Sequence, residues 1–303
     1  MLLKPDQTHH VELGDCIPGM AAMPEASVDF SVFSPPFPAL YAYTSEEADI
    51  GNSDDLQNEM KIHFSFFCRQ LVRVLKPGRV CVMHVMQIPR MKRAGGQGLF
   101  DFRGFLIRLA ERAGFIYEYD WTVRKNPQAQ AIRTKSRELQ FAGLESDRCK
   151  QRGALPDYLI KFRKQGENAV RIDAENQVSR NDWIRWAEGC WDDIIETDTL
   201  NVKEGRGEDD IKHICPLQLE VIRRLVLLYS NPGEIVFSPF TGIGSEGYVS
   251  LGGASPKTQL RVNDRRRFYG FELKPEYHAS ALVNMRRALE CSKSQNALFL
   301  DVA

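Results

Sequence analysis

An α/β architecture, with a mostly parallel sheet and helices on both of its faces, follows from three stretches of the sequence. Residues 28–33 read as a buried strand, apolar residues recur at helical spacing from Leu56 to Val74, and 79–85 is strand-like again. The same alternation returns in the C-terminal third, where Glu234 to Phe237 leads through a glycine-containing turn into a helix beginning near Ser245.

Each element has a local cause. The strand at 28–33 stops at Ser34-Pro35-Pro36-Phe37, because proline gives a sheet ladder no amide and fixes its own φ. Such a stretch is either a plain terminator or a rigid platform presenting groups to a ligand. After a polar loop, Leu56, Met60, His63, Phe64, Phe67, Leu71 and Val74 mark a helix, with Ser53, Asp54 or Asp55 as its N-cap. Lys76-Pro77-Gly78 ends that helix and starts the strand 79–85. A helix over about 99–113 passes through Gly114 into the strand FIYEYDWTV, and DYLIKFR, 157–163, is one more strand.

Farther on, Leu219, Ile222, Leu225, Val226 and Tyr229 share a helical face that ends at SNPG. A polar insertion at 252–267 precedes the strand FYGFEL, and Pro275 to Leu289 is the closing helix. The middle differs in charge. Residues 121–165 carry 11 basic against 4 acidic side chains, whereas acids outnumber bases from Glu167 to Asp210, where Trp183, Trp186 and Trp191 cluster. Charge runs are usually solvated faces, and clustered tryptophans usually anchor a small core. A basic stretch interleaved with Asn126, Gln128, Gln130 and Gln140 is also what a nucleic-acid-contacting insert needs.

Composition excludes several classes. Lys plus Arg and Asp plus Glu stand at 40 each, so net charge does not select a partner. No apolar run is long enough to span a bilayer and MLLKPDQTHH lacks a signal-peptide core, so a cytoplasmic protein with no membrane association is expected. The seven cysteines include no Cys-x-x-Cys pair and the histidines no ligand spacing, which predicts reduced thiols and no metal.

Two motifs carry chemistry. In Ser238-Pro239-Phe240-Thr241-Gly242-Ile243-Gly244-Ser245 a strand ends, glycines allow close backbone approach, and a helix starts with its amides free. A lone Gly-x-Gly also serves plain strand-to-helix packing. The next strand, however, finishes in Gly270-Phe271-Glu272, an acid where Rossmann-like folds hold ribose hydroxyls.

With Gly14-Asp15, Ser34 to Phe37, Val74 to Gly78, His213 to Ile222, Ser238 to Ser245 and Gly270 to Tyr277 in this order, the chain resembles the DNA amino-methyltransferases of the permuted, beta class. These act on N4 of cytosine or N6 of adenine, and their catalytic motif precedes the cofactor loop. The resemblance covers most of the chain. It implies a circularly permuted, Rossmann-like methyltransferase fold with a seven-stranded sheet and an inserted target-recognition region. The division expected is 1–124 for the catalytic half, 125–210 for target recognition (including the strand at 157–163), and 211–303 for the S-adenosylmethionine-binding half.

The roles implied are specific. Ser34 Oγ and the Pro35 carbonyl would hold the target amino group, Pro36 would stiffen the platform, and Phe37 would stack on a flipped base. Asp15 would contact the cofactor's adenine, with Phe33 or Phe240 packing on its ring. Glu272 would take the ribose, while Ser238, Gly242, Gly244 and Ser245 form the cofactor loop and His213 is a further cofactor contact. Tyr41, Tyr43, Arg124, Lys125, Asn126 and Arg133 are the DNA-contact candidates. Ser238 stands where the family commonly has Asp, and Ile214 and Cys215 separate His213 from its proline. Ser34, where adenine enzymes typically carry Asp, inclines the reading toward cytosine. No Pro-Cys occurs, so ring-carbon methylation through a cysteine nucleophile is not expected. Double-stranded DNA is the implied partner; a homodimer and a cognate restriction enzyme stay open. The rival readings are an N-methyltransferase of RNA or a protein amide, and a silent DNA-binding protein of the same fold.

Overall fold

A computed structural model describes residues 2–37, 59–90, 98–134, 139, 145, 147, 149, 151–173, 175–200 and 217–300, apart from the side chains of 133–134 and 292–300. In chain order the described elements are β1 (His9–Leu13), α1 (Cys16–Ala22), β2 (Phe30–Phe33), α2 (Glu59–Val74), β3 (Val80–Met86), β4 (Ile88–Pro89), β5 (Leu99–Phe100), α3 (Phe102–Ala113), β6 (Phe115–Val123) and α4 (Pro127–Thr134). They continue with β7 (Asp157–Lys164), α5 (Arg180–Trp186), β8 (Cys190–Trp191), α6 (Leu219–Tyr229), β9 (Ile235–Ser238), α7 (Ser245–Ser250), β10 (Arg267–Glu272) and α8 (Pro275–Leu300).

One sheet runs in the order β1-β10-β9-β2-β3-β7-β6-β8. From β1 to β3 all pairs are parallel, β7 is antiparallel to both β3 and β6, and β8 adds a two-residue parallel edge to the seven expected strands. Strand order reverses between β9 and β2: the chain leaves β2 toward β3 but leaves β9 toward β10. These two strands pair although their partners lie 206 residues apart, as in the hydrogen bond from Ser31 Oγ to the Phe237 carbonyl, 3.0 Å.

Side-chain alternation on the strands builds two cores. Phe33, Met83, Ile160, Phe162, Phe237 and Phe271 face α1, α2 and α3 through Met20, Phe64, Phe67 and Leu106. Phe30, Val32, Val82, Leu159, Val236 and Phe268 face the other way, onto Ile222 of α6, Val249 of α7 and Ala281 of α8. Strands buried on both faces read as continuous apolar runs, which is why the central ones were legible.

At the amino ends of the parallel strands a charged cluster closes on itself. Lys76 Nζ meets Asp29 Oδ1 at 2.5 Å, Arg79 grips Glu234 with both terminal nitrogens, and the Ile235 amide donates to Asp29 Oδ2 at 2.9 Å.

Several boundaries differ from expectation. The strand expected at 28–33 begins at Phe30, since Val28 makes only an isolated bridge to Leu75. The helix expected from 99 begins at Phe102: Asp101 caps it by accepting from the Gly104 amide at 3.0 Å, and Leu99–Phe100 pair with Ile88–Pro89. The N-cap candidates Ser53, Asp54 and Asp55 lie outside the described residues. The sequence reading missed β1 and α1. An edge strand with one buried side chain, Val11, and a seven-residue helix carry too few apolar positions for a periodic signal.

Candidate active site

The carboxyl ends of the strands bring the candidate residues into one row. Leu13 pairs with Glu272, the Gly14 amide donates to the Glu272 carbonyl at 2.9 Å, and Phe33 pairs with Met83, so Ser34 lies beside His84. Ser238 ends β9, next to β2. Open α/β sheets bind ligands beyond the carboxyl ends at the point of reversal, here between β9 and β2.

On the β9 side the loop is shaped by its two glycines for different reasons. Gly242 has φ +56° with open space where a Cβ would stand; Gly244 has φ +89° and the Ala281 backbone 3.0 Å from that position. The first leaves room for a ligand, and the second permits close packing on α8. Glu272 ties this loop down: Oε2 accepts from the Gly242 amide at 2.7 Å and Oε1 from the Lys274 amide at 2.9 Å. Burial pushes the Glu272 carboxyl above its ordinary range, against those amide hydrogen bonds. The Ser238 and Ser245 hydroxyls are buried with no hydrogen-bond partner. Orphaned polar groups of this kind are rare and need a reason, and a polar ligand supplies one.

Burial likewise raises Glu246, in the first turn of α7, to about 8, and Glu272 adds to the shift. Asp15 caps α1, its Oδ1 accepting from the Ile17 amide at 2.8 Å. Phe240 is partly buried against Phe67 and Phe33. Phe33 itself is wholly buried, so no face of its ring is left for an adenine; of the two aromatic candidates only Phe240 keeps one.

On the β2 side, Ser34 Oγ lies 3.0 Å from His84 Nδ1 and 3.2 Å from the His84 carbonyl. His84 Nε2 lies 2.9 Å from Asp157 Oδ2, close but not aligned for a hydrogen bond, and Lys125 Nζ reaches the same oxygen at 2.5 Å. Burial alone would raise Asp157; His84 and Lys125 outweigh it and hold the carboxyl below the usual carboxylate range. Pro35 is buried, Pro36 is half-buried, and Phe37 leans on Phe102 with ring centroids 5.7 Å apart.

The DNA-contact candidates divide. Arg124 is exposed, and Asn126 caps α4 by accepting from the Gln128 and Ala129 amides. Lys125, expected on a phosphate, is buried and paired with Asp157, so its charge is already matched inside the protein. Tyr41, Tyr43, His213 and the Arg133 side chain lie outside the described residues. Trp186 and Trp191 belong to the core rather than to a free surface. Trp121 and Trp191 both donate to the Trp186 carbonyl at 3.0 Å, and Arg224 lies over both the Trp186 and Trp191 rings.

Sequence reasoning missed His84, Asp157 and Glu246. A lone histidine inside VCVMHVM and an aspartate opening DYLIKFRK were the available signals. Among the described residues no group of three or more His, Cys, Asp or Glu is placed to hold a metal, and no helix is long and apolar enough to cross a membrane.

The Type II methyltransferase M.MthZI of Methanothermobacter thermautotrophicus is 28% identical over 91 residues, which is 29% of this chain and only 26% of that relative. The fold is shared over nearly the whole length with TTHA0409 of Thermus thermophilus, a proposed DNA modification methylase, at TM-score 0.66 and 20% identity, covering 93% of this chain and 96% of that one. That protein has also been crystallised with S-adenosyl-L-methionine. The cytosine-N4-specific PvuII DNA methyltransferase gives TM-score 0.64 at 19% identity, covering 92% of this chain and 86% of that one. A family model described as DNA methylase, N6_N4_Mtase, matches residues 28–283, which include the platform after β2, the loop after β9 and Glu272; the chain belongs to that family.

Proposed function

We propose that this protein transfers a methyl group from S-adenosylmethionine to the exocyclic amino group of a flipped-out cytosine (N4) or adenine (N6) in duplex DNA. The observation that carries the reading is the adjacency of Ser34-Pro35-Pro36-Phe37 and the Ser238–Ser245 loop at the sheet's reversal point.

The chemistry asks little of the protein beyond geometry. An exocyclic amino group is a poor nucleophile because its lone pair is delocalised into the ring. Acceptors aimed at its hydrogens draw it toward sp³ geometry, and Ser34 Oγ with the Pro35 carbonyl would be those acceptors. His84 engages the Ser34 hydroxyl proton, which turns the oxygen's lone pairs toward the substrate side. Phe37 would stack on the flipped base and offset part of the few kcal/mol that flipping costs. S-adenosylmethionine, when bound, supplies an electrophilic methyl group. Glu272, the open side of Gly242, Phe240 and the orphaned hydroxyls of Ser238 and Ser245 would hold it, with Asp15 near its adenine.

Target recognition would fall to 125–210, with Asn126 and Arg133 as its contacts, Arg124 at its border, and Tyr41 and Tyr43, which follow the platform, on the flipped base or its flanks. Lys125, buried and paired with Asp157, takes no part in it. Serine at the first position of the platform favours cytosine. The test is incubation with plasmid DNA and isotopically labelled S-adenosylmethionine, digestion to nucleosides, and identification of the labelled species. Label in N4-methylcytosine is expected, and label in N6-methyladenine would reassign the base. Label in neither overturns the reading.

A further inference from the structure

Ser34 is one end of a row of four polar side chains drawn from the segment just past β2, from β3 and β7, and from the segment just past β6. His84, Asp157 and Lys125 are all buried. Lys125 and Asp157 already neutralise each other at 2.5 Å, so the imidazole is not required to complete that pair. Nor is it required merely to steer Ser34, because the His84 main-chain carbonyl accepts from the hydroxyl at 3.2 Å. What the ring adds is an acceptor able to take up a proton. The Asp157 carboxylate, 2.9 Å from Nε2, favours the neutral tautomer with its hydrogen there, which would leave the Nδ1 lone pair directed at Ser34.

We propose that His84 is the proton acceptor of the methyl-transfer site, receiving through the Ser34 hydroxyl the proton that the target amino group loses, with Asp157 fixing the ring. This rests on the amino-methylation reading above. As the nitrogen–carbon bond forms, the methyl–sulfur bond breaks and its electron pair stays on sulfur. The amino proton passes to Ser34 Oγ while the Ser34 proton passes to His84 Nδ1. The imidazolium then stands beside the Asp157 carboxylate and returns its proton to solvent after turnover. Asp157 of β7 stands beside the ring, Lys125 from beyond β6 stands on the same Asp157 oxygen, and Ser34, just past β2, presents its hydroxyl. Ser34 touches the substrate; His84 is a positioning and relay residue acting through it.

Two measurements test this. In the ¹⁵N-labelled protein without cofactor or DNA, the neutral His84 ring should carry its hydrogen on Nε2; a hydrogen on Nδ1 overturns the proposal. In single-turnover methylation of plasmid DNA between pH 5.5 and 9, the wild-type rate should fall on the acid side as the imidazole protonates. His84→Asn keeps an acceptor oxygen near the Nδ1 position but cannot take a proton. It should lose about 10²- to 10³-fold in rate and the acid limb with it, while calorimetry shows cofactor affinity within twofold. A rate within threefold of wild type, or an unchanged acid limb, overturns the relay. If the variant does not fold, the wild type decides: the NMR titration midpoint of His84 and the acid limb of kcat/KM, which reports the free enzyme, must agree within about one pH unit. Disagreement overturns the relay. A wild type that methylates neither base overturns the amino-methylation reading, and the relay with it. A wild type that methylates DNA while His84→Asn matches it overturns the relay alone.

Discussion

The two edges of the sheet both bury charged and polar groups, and they differ in whether those groups are closed. At the amino edge Asp29, Lys76, Arg79 and Glu234 consume one another's hydrogen bonds, and the Asn231 amide adds one more to Glu234 Oε2 at 2.7 Å. At the carboxyl edge the Ser238 and Ser245 hydroxyls are buried without a hydrogen-bond partner. A closed network holds strands in place; an open one loses stability that only a ligand or a reaction can justify. Substitutions should therefore cost folding at one edge and function at the other.

The largest effect is expected from Ser34→Ala, which should slow single-turnover methylation about 10²- to 10³-fold, because a transition-state hydrogen-bond partner is lost. Its cofactor affinity and urea midpoint should stay near wild type. Equal losses of rate and affinity would mean that Ser34 belongs to the cofactor's side of the site. Arg79→Ala tests the other edge. The half-buried Glu234 loses its two-pronged partner while Asp29 keeps Lys76, so unfolding free energy should drop by about 3 kcal/mol, read from urea denaturation.

Glu246 joins the edges' two kinds of behaviour. Its carboxyl is held up to about 8 by burial, above the ordinary carboxylate value, so the folded protein keeps a proton that the unfolded chain releases. The stability this gives is complete below the unfolded value and declines as pH rises toward 8, by on the order of 2 kcal/mol between pH 6 and 8. Glu246→Gln should flatten that decline in thermal melts; an unchanged slope would place the effect elsewhere. The smallest effect is expected from Glu272→Ala, about tenfold weaker cofactor binding by calorimetry without DNA, roughly 1.4 kcal/mol.

The fold was legible where burial on both faces made strands continuous, as in β2, β3 and β10. The platform and the glycine loop were legible because proline and glycine restrict backbone geometry by themselves. What stayed hidden depends on neighbours that sequence order does not show. Lys125 reads as one cation in a basic run, yet the antiparallel insertion of β7 delivers Asp157 to it. His84 reads as a stray polar residue in an apolar strand until parallel pairing sets it against Ser34. Phe33 looks available because it borders the platform, but strand alternation turns it onto Phe67.

The pairing of β2 with β9 has a consequence for synthesis. β3 is close in sequence and can dock on β2 early, but the other side of β2 waits for a strand some two hundred positions later. During that interval the nascent chain carries an unpaired apolar strand edge, open to wrong partners. Contacts of such sequence separation also form slowly. The seam between β2 and β9 therefore closes late relative to β2 itself, and the catalytic platform has no cofactor loop beside it until residues 238–245 have been made.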